Sequence, residues 1–353
     1  MKHNSGLRPI WFTVILSVLL QAPGLLAQKA PVPENNDFYD NVPFKALPIN
    51  QIEITGEVSK PGLADLSQMP LHQVQVREAK LDKNKTIFIG AYVYQGYSLF
   101  DILKDQIIQK QNEKEFSSPI DLLIIIENKA GEKVIFSWGE VFYPINLHRI
   151  IIAARVAPII PSATGETWPL PEESKVVAAN DLYAERNIQS PVRIIVHSCP
   201  LSKPVLKGKS RLYSENIKLI RAEQELAKIG SLPGNLPVLV LPTVFFGRGR
   251  GFHGLKFFSG VSLRQTVGKY FQPDQEYLRA GYIIIVGADG YRAVYSVSEL
   301  FNRNDFLEAL LYDKTNQDGG RFAVFMAMDF FSDRSVKAIK DIIINRSNIS
   351  RPL

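Results

Sequence analysis

One cysteine, Cys199, stands in a chain of 353 residues. An intramolecular disulfide is therefore excluded in any compartment, and stability has to come from a packed core. Runs of one charge are missing too: 41 Lys and Arg are scattered among 35 Asp and Glu, a formal surplus of +6. So small and dispersed a surplus forms no basic stripe, and no nucleic-acid partner is expected. Past residue 28 no apolar stretch is long enough to span a bilayer. The one glycine-rich run, Gly247-Arg-Gly-Arg-Gly-Phe-His253-Gly, lacks the closing Lys and Ser or Thr that a nucleotide phosphate loop requires.

What is present describes a folded protein. Hydrophobic residues make up 46% and charged residues 22%, and the length suits two domains of ordinary size. At the N-terminus Lys2, His3 and Arg8 precede the apolar residues 10–20, and residues 21–27 lead into polar, Pro-rich chain. That is the layout of a signal peptide over 1–27, followed by a loose leader over 28–48. Gln28 stands where a lipoprotein signal would need a lipid-bearing Cys, so lipidation there is excluded. The chain is expected to be exported, periplasmic or secreted, with no membrane span left after cleavage.

A hairpin pattern occurs twice: DLLIIIENKAGEKVIFSWGEVF over 121–142 and AGYIIIVGADGYRAVYSVSELF over 280–301. In each, a β-branched apolar strand, a Gly-containing turn and a returning strand are followed by Ser, then Glu three residues on: Ser137 with Glu140, Ser296 with Glu299. That spacing predicts a helix N-terminal capping box, so a structural role for both glutamates. A helix cap, Gly96-Tyr-Ser98-Leu99, returns as Gly260-Val-Ser262-Leu263, and a strand led by Arg193 returns led by Arg321. Repetition in one order argues for the same unit used twice. The expected domains are 49–220 and 237–353, joined by a linker over 221–236 whose RAEQELAKIG run is read as helix-forming.

Several of these segments resemble a known family. The opening Ile54-Thr-Gly-Glu-Val-Ser-Lys-Pro-Gly-Leu-Ala-Asp-Leu66, the helix Gly96-Tyr-Ser98-Leu99-Phe-Asp-Ile-Leu103, the strand Pro191-Val-Arg193-Ile-Ile-Val196 and the ending Ser335-Val-Lys-Ala-Ile-Lys-Asp-Ile342 resemble the molybdopterin-binding domain of the sulfite-oxidase family. The resemblance implies an α+β fold: two tandem, degenerate, sulfite-oxidase-like mixed α/β domains. It also implies a departure, because residues 74–82 and 238–250 hold no Cys where catalytic members carry the thiolate that binds molybdenum. The expected function is therefore an exported binding or accessory protein without molybdenum redox chemistry and with no cofactor. Its partner would be a small anionic or pterin-like ligand, or an envelope protein. The alternative is a molybdopterin-dependent periplasmic oxidoreductase with an atypical metal site, reached without the usual thiolate or through Cys199.

Candidate site residues follow from chemistry. Arg248 and Arg250 offer forked, charged donors beside main-chain N–H groups that the intervening glycines leave accessible, with His253 next to them; a surface turn is the plainer reading of the same run. Arg193 is a second anion contact, or an anchor for a carboxylate. His197 and Cys199, two apart in an extended segment, form a thiol site if the imidazole activates the sulfur, or a buried structural thiol if it does not. Phe136, Trp138, Tyr143, Phe257 and Phe258 are expected in the core, and His148 with Arg149 shows no discernible chemistry.

Overall fold

Isoleucine, leucine and valine fit a pleated surface that is covered on both sides, and such strands read as unbroken apolar runs. In the computed structural model the two runs are the strands Leu122–Asn128 and Gly281–Gly287, both buried almost throughout. The structure describes residues 42–346 except 84 and 209–210. The expected signal peptide and leader residues 28–41 lie outside them.

Strand accounts for 46% of the chain and helix for 12%, arranged as a four-bladed β-propeller. The expectation of an α+β fold with two sulfite-oxidase-like mixed α/β domains is thus overturned. The expected serine caps do start helices, but Leu99–Leu103, Trp138–Phe142 and Val297–Phe301 are five residues each and Leu263–Gly268 six, as is Gln275–Ala280. Such single turns are too short to blanket a sheet, so the sheets bury one another. No helix of the described residues is long and apolar enough to cross a membrane.

Each blade has five strands. In the first, Leu71–Asp82 and Lys85–Ser98 form a long hairpin, extended by Ile150–Pro158, which pairs with both Lys45–Ala46 and Val176–Ala178. In the second, Glu53–Gly56 runs parallel to Pro191–Ser198, and Leu122–Asn128 and Lys133–Ser137 follow antiparallel. The third repeats the plan of the first with Leu239–Gly247, Gly251–Ser262, Ala309–Asp313 and Gly320–Met326. The fourth repeats the second: Ile217–Arg221 parallel to Ile339–Arg346, then Gly281–Gly287 and Arg292–Ser296 antiparallel. Each blade is thus built from separated stretches of chain, unlike the continuous meander of most propeller blades.

Two sequence expectations change with this register. The run at 221–236 is not a helical linker: Gln224–Ile229 is a strand paired with Ile217–Arg221 across a turn that holds Ala222 and Glu223 at φ of 46° and 67°. A partner strand outweighs helix propensity, which is worth only tenths of a kcal/mol per residue, about 0.7 at most for ordinary residues. Nor is the Arg321 strand the counterpart of the Arg193 strand, since Gly320–Met326 lies in the third blade and Ile339–Arg346 takes the place of Pro191–Ser198.

The halves interlock through equivalent loops. Ile145 N donates to Met328 O (3.0 Å) and Phe330 N to Tyr143 O (2.7 Å); reciprocally, Asn304 N donates to Asn180 O (2.9 Å) and Leu182 N to Asn302 O (2.6 Å). Beneath them, Leu123, Ile125 and Ile135 of the second blade share a core with Tyr282, Ile284, Val286 and Val294 of the fourth. Ile284 is 1% exposed in that shared layer. Ile284→Ala is expected to destabilise the chain by about 2–5 kcal/mol in urea unfolding, with one transition retained; a loss under about 1 kcal/mol would show the layer to be loosely packed.

Candidate functional site

The capping box at Ser137 and Glu140 and the serine cap at Ser296, where Glu299 does not bond back to the Ser296 amide, open into a larger arrangement. Ser137 accepts from the Glu140 amide and Ser296 from the Glu299 amide, each at 2.9 Å. Each hydroxyl also donates across the molecule, Ser137 Oγ to Glu299 Oε2 (2.7 Å) and Ser296 Oγ to Glu140 Oε2 (2.6 Å). Two arginines complete the exchange. Arg186 pairs with Asp181 and Glu140, both at 2.7 Å, while Arg334 pairs with Asp329 at 2.6 Å and Glu299 at 2.5 Å. Arg186 also reaches Ser296 Oγ at 3.1 Å, and Arg334 reaches Ser137 Oγ at 3.3 Å. Their guanidiniums lie over Phe136 and Tyr295 at 4.2 and 4.9 Å. Gly139 leaves the room: a Cβ there would sit 2.3 Å from Arg334 Cδ.

In these direct pairs four carboxylates face two guanidiniums, with side chains at most 8% exposed. Burial, with Arg186 opposing it and Glu299 adding to it, pushes Glu140 up to about 7, and burial raises Asp329 to about 6 despite Arg334. The adjoining cavity holds only about 30 Å³, room for a water rather than a ligand. This cluster is a structural centre.

The sequence-derived candidates divide among separate places. Arg193 bridges Glu53 (2.9 Å) and Glu127 (3.3 Å) across neighbouring strands of the second blade, an anchor rather than a ligand contact. His197 Nδ1 pairs with Glu57 at 3.1 Å. Cys199 turns instead into the layer shared by the second and fourth blades, where burial pushes its thiol up to about 12. A neutral, enclosed thiol is neither a nucleophile nor a metal ligand, so the thiol site gains no support.

Arg248, Arg250 and His253 do come together. The run forms the tip of the hairpin Leu239–Gly247 and Gly251–Ser262. Gly251 and Gly254 take φ of 72° and 88°, which a side chain would resist. The tip borders a cleft of about 650 Å³, lined also by Phe245, Phe258, Tyr291, Tyr312, Lys337, Asp289 and Asp333. Arg248 in addition borders a second cleft of about 430 Å³ with Lys104, Lys110, Trp138 and Tyr143, and reaches the Tyr143 hydroxyl at 3.4 Å. Phe258 stacks on Phe325 at 4.0 Å and so is held rigid, while burial pushes Tyr312 up to about 12, keeping it neutral. Asp333 Oδ2 is buried with no hydrogen-bond partner. Phe257, expected in the core, is 66% exposed on the hairpin's outer face.

No protein-family model matches this chain, and no curated protein matches it. Sequence reasoning missed Asp181, Arg186, Asp329 and Arg334, although the repeated Asp-x-x-x-x-Arg spacing signals them. It also missed Tyr291, Tyr312 and Lys337, which no local pattern connects to the glycine-rich tip.

Two outcomes follow for the centre. Removing a charge from a buried pair strands its partner, so Arg186→Met is expected to cost about 3–5 kcal/mol in denaturant unfolding. The folded-state pKa values of Glu140 and Asp329 lie above their ordinary ones, so the folded chain binds these protons more tightly than the unfolded chain. Their contribution is greatest below the ordinary carboxylate range and falls as pH rises through about 6–7. Stability is expected to drop between about pH 5 and about pH 8, and to drop less in Glu140→Gln; equal slopes in the two proteins would dismiss Glu140 as the source.

Proposed function

We propose that this chain binds a small organic anion with a flat ring, in the cleft at the Arg248–Arg250 tip. The observation that carries the reading is the pairing of opposite demands in one concavity. Arg248, Arg250 and Lys337 supply positive charge, Phe245, Phe258, Tyr291 and Tyr312 supply ring faces, and Asp333 Oδ2 is an acceptor still lacking a donor. Ligand clefts of about 300–1,000 Å³ combine apolar walls with a few convergent polar groups in this way. The arginines suit a carboxylate or phosphate, the rings suit a planar body, and Asp333 suits a ring N–H. A pterin carrying an acidic group has all three features. Export is part of the proposal and rests on the charged and apolar pattern of residues 1–27.

Pterin-6-carboxylate is the probe. Calorimetric titration is expected to show saturable binding, weakened about tenfold or more by Arg248→Ala with Arg250→Ala, since a charge-assisted hydrogen bond contributes about 1.5–3 kcal/mol. Asp333→Ala should weaken the pterin more than it weakens benzoate, which lacks the ring N–H. Affinity indifferent to the arginine pair would remove this cleft as the binding site.

A further inference from the structure

In the first blade one carboxylate gathers two imidazoles. Asp101 of the helix Leu99–Leu103 has a side chain only 5% exposed. Its Oδ2 lies 2.7 Å from Nε2 of His72, on the strand Leu71–Asp82, and 3.5 Å from Nδ1 of His148, in the loop before Ile150–Pro158. The ligand atoms of the three residues all lie within 4.8 Å of one another, a grouping found nowhere else among the described residues. Asp101 Oδ1 is held by Lys104 Nζ at 2.9 Å, which aims the other oxygen at the imidazoles.

On the His148 side the contact with Asp101 is too long for a hydrogen bond. Its main chain adopts φ of 63°, a conformation that disfavours a residue with a Cβ and costs on the order of 1–3 kcal/mol. The result is a ring stacked on His72 with centroids 3.9 Å apart and planes 4° from parallel. Phe100 meets the His148 ring edge-on at 5.3 Å. For all this positioning, Nδ1 of His148 is buried and makes no hydrogen bond.

We propose that His72, Asp101 and His148 are the ligands of one divalent transition-metal ion, Zn²⁺ by preference. Two imidazoles and a carboxylate are the donors that ion favours, at about 2.0–2.2 Å, which separates neighbouring ligand atoms by roughly 3.4 Å in a tetrahedron. The present separations, 2.7 and 3.5 Å, bracket that value. The rings do not yet converge, because parallel planes send their lone pairs side by side. A turn of the His148 ring brings its Nδ1 onto the ion and breaks no hydrogen bond, since Nδ1 has none. The side chains of His72 and His148 are 25% and 32% exposed, so water has access to the remaining position. Lys104 stays on Oδ1 as the outer-shell group that orients the carboxylate.

The test uses the full chain without a histidine tag, stripped with chelator and titrated with Zn²⁺ by calorimetry and with Co²⁺ by visible absorption. One equivalent is expected to bind, with Co²⁺ d–d bands of nitrogen and oxygen ligation, and with affinity falling more than about tenfold in His72→Ala and in His148→Ala. Zn²⁺ should raise the melting temperature of the parent chain and not of Asp101→Asn, whose own fold is checked by circular dichroism. Absence of saturable binding by the parent chain, or affinity unchanged in both histidine variants, overturns the site. Arg248→Ala leaves Zn²⁺ binding intact, so this result stands or falls apart from the anion cleft.

Discussion

Each repeat closes its own helix cap with a serine whose hydroxyl donates a hydrogen bond to the other repeat's glutamate. This reciprocal exchange, Ser137 to Glu299 and Ser296 to Glu140, is the constraint on which the rest of the architecture depends. It places two guanidiniums and four carboxylates out of water, where any group left without a partner is expensive. Buried ion pairs gain little over apolar packing in net stability. Their effect lies in which arrangement they permit: shifting one repeat against the other by a residue would strand Arg186 or Arg334 among carboxylates it could not reach. Apolar contacts, which are non-directional, hold the layer behind this network but do not by themselves choose its register.

With the halves fixed in that way, their differences fall at the surface. Both carry a long hairpin at the same place in the plan, yet its outer face differs. In the first half Gln73, Gln75, Arg77 and Gln95 occupy it, whereas in the second Val240, Pro242, Val244, Leu255 and Phe257 do. The second hairpin also carries the glycine-rich tip beside Tyr291, Tyr312 and Lys337. The stacked histidines belong to the first half alone: the residues opposite in the plan include Leu239, on the strand equivalent to that of His72. The repeated frame is thus common to both halves, and the differences between them lie in the residues displayed on it.

The sequence made the repeat legible because the hairpins, caps and turns are local: alternation, a Ser with Glu three residues on, and a glycine where φ is positive can be read within twenty residues. Ser137 and Ser296 do cap helices, as the spacing implies. What it hid was the use of those same glutamates at long range, since Glu140 meets Arg186 and Ser296 only after both halves have folded. The fold class was misjudged for a related reason. Motifs with helical spacing announced helices but not their length, and the partner of each strand is not encoded near it; Glu53–Gly56 pairs with Pro191–Ser198 and Ile217–Arg221 with Ile339–Arg346. The Arg193 and Arg321 strands look alike in sequence and lie in different kinds of blade. Of the candidate site, Arg248, Arg250 and His253 were visible as an unusual run, while Tyr291 and Tyr312, which close the cleft with Phe245 and Phe258 of the hairpin itself, come from two other segments.

If the exchange between serines and glutamates makes the repeats one folding unit, neither can melt alone. Scanning calorimetry of the full chain near neutral pH measures this directly, by comparing the heat absorbed with the van't Hoff enthalpy drawn from the shape of the peak. The account requires a single peak with the two enthalpies equal. Two resolved transitions, or a calorimetric enthalpy well above the van't Hoff value, would mean that the halves unfold separately and that the central network does not join them.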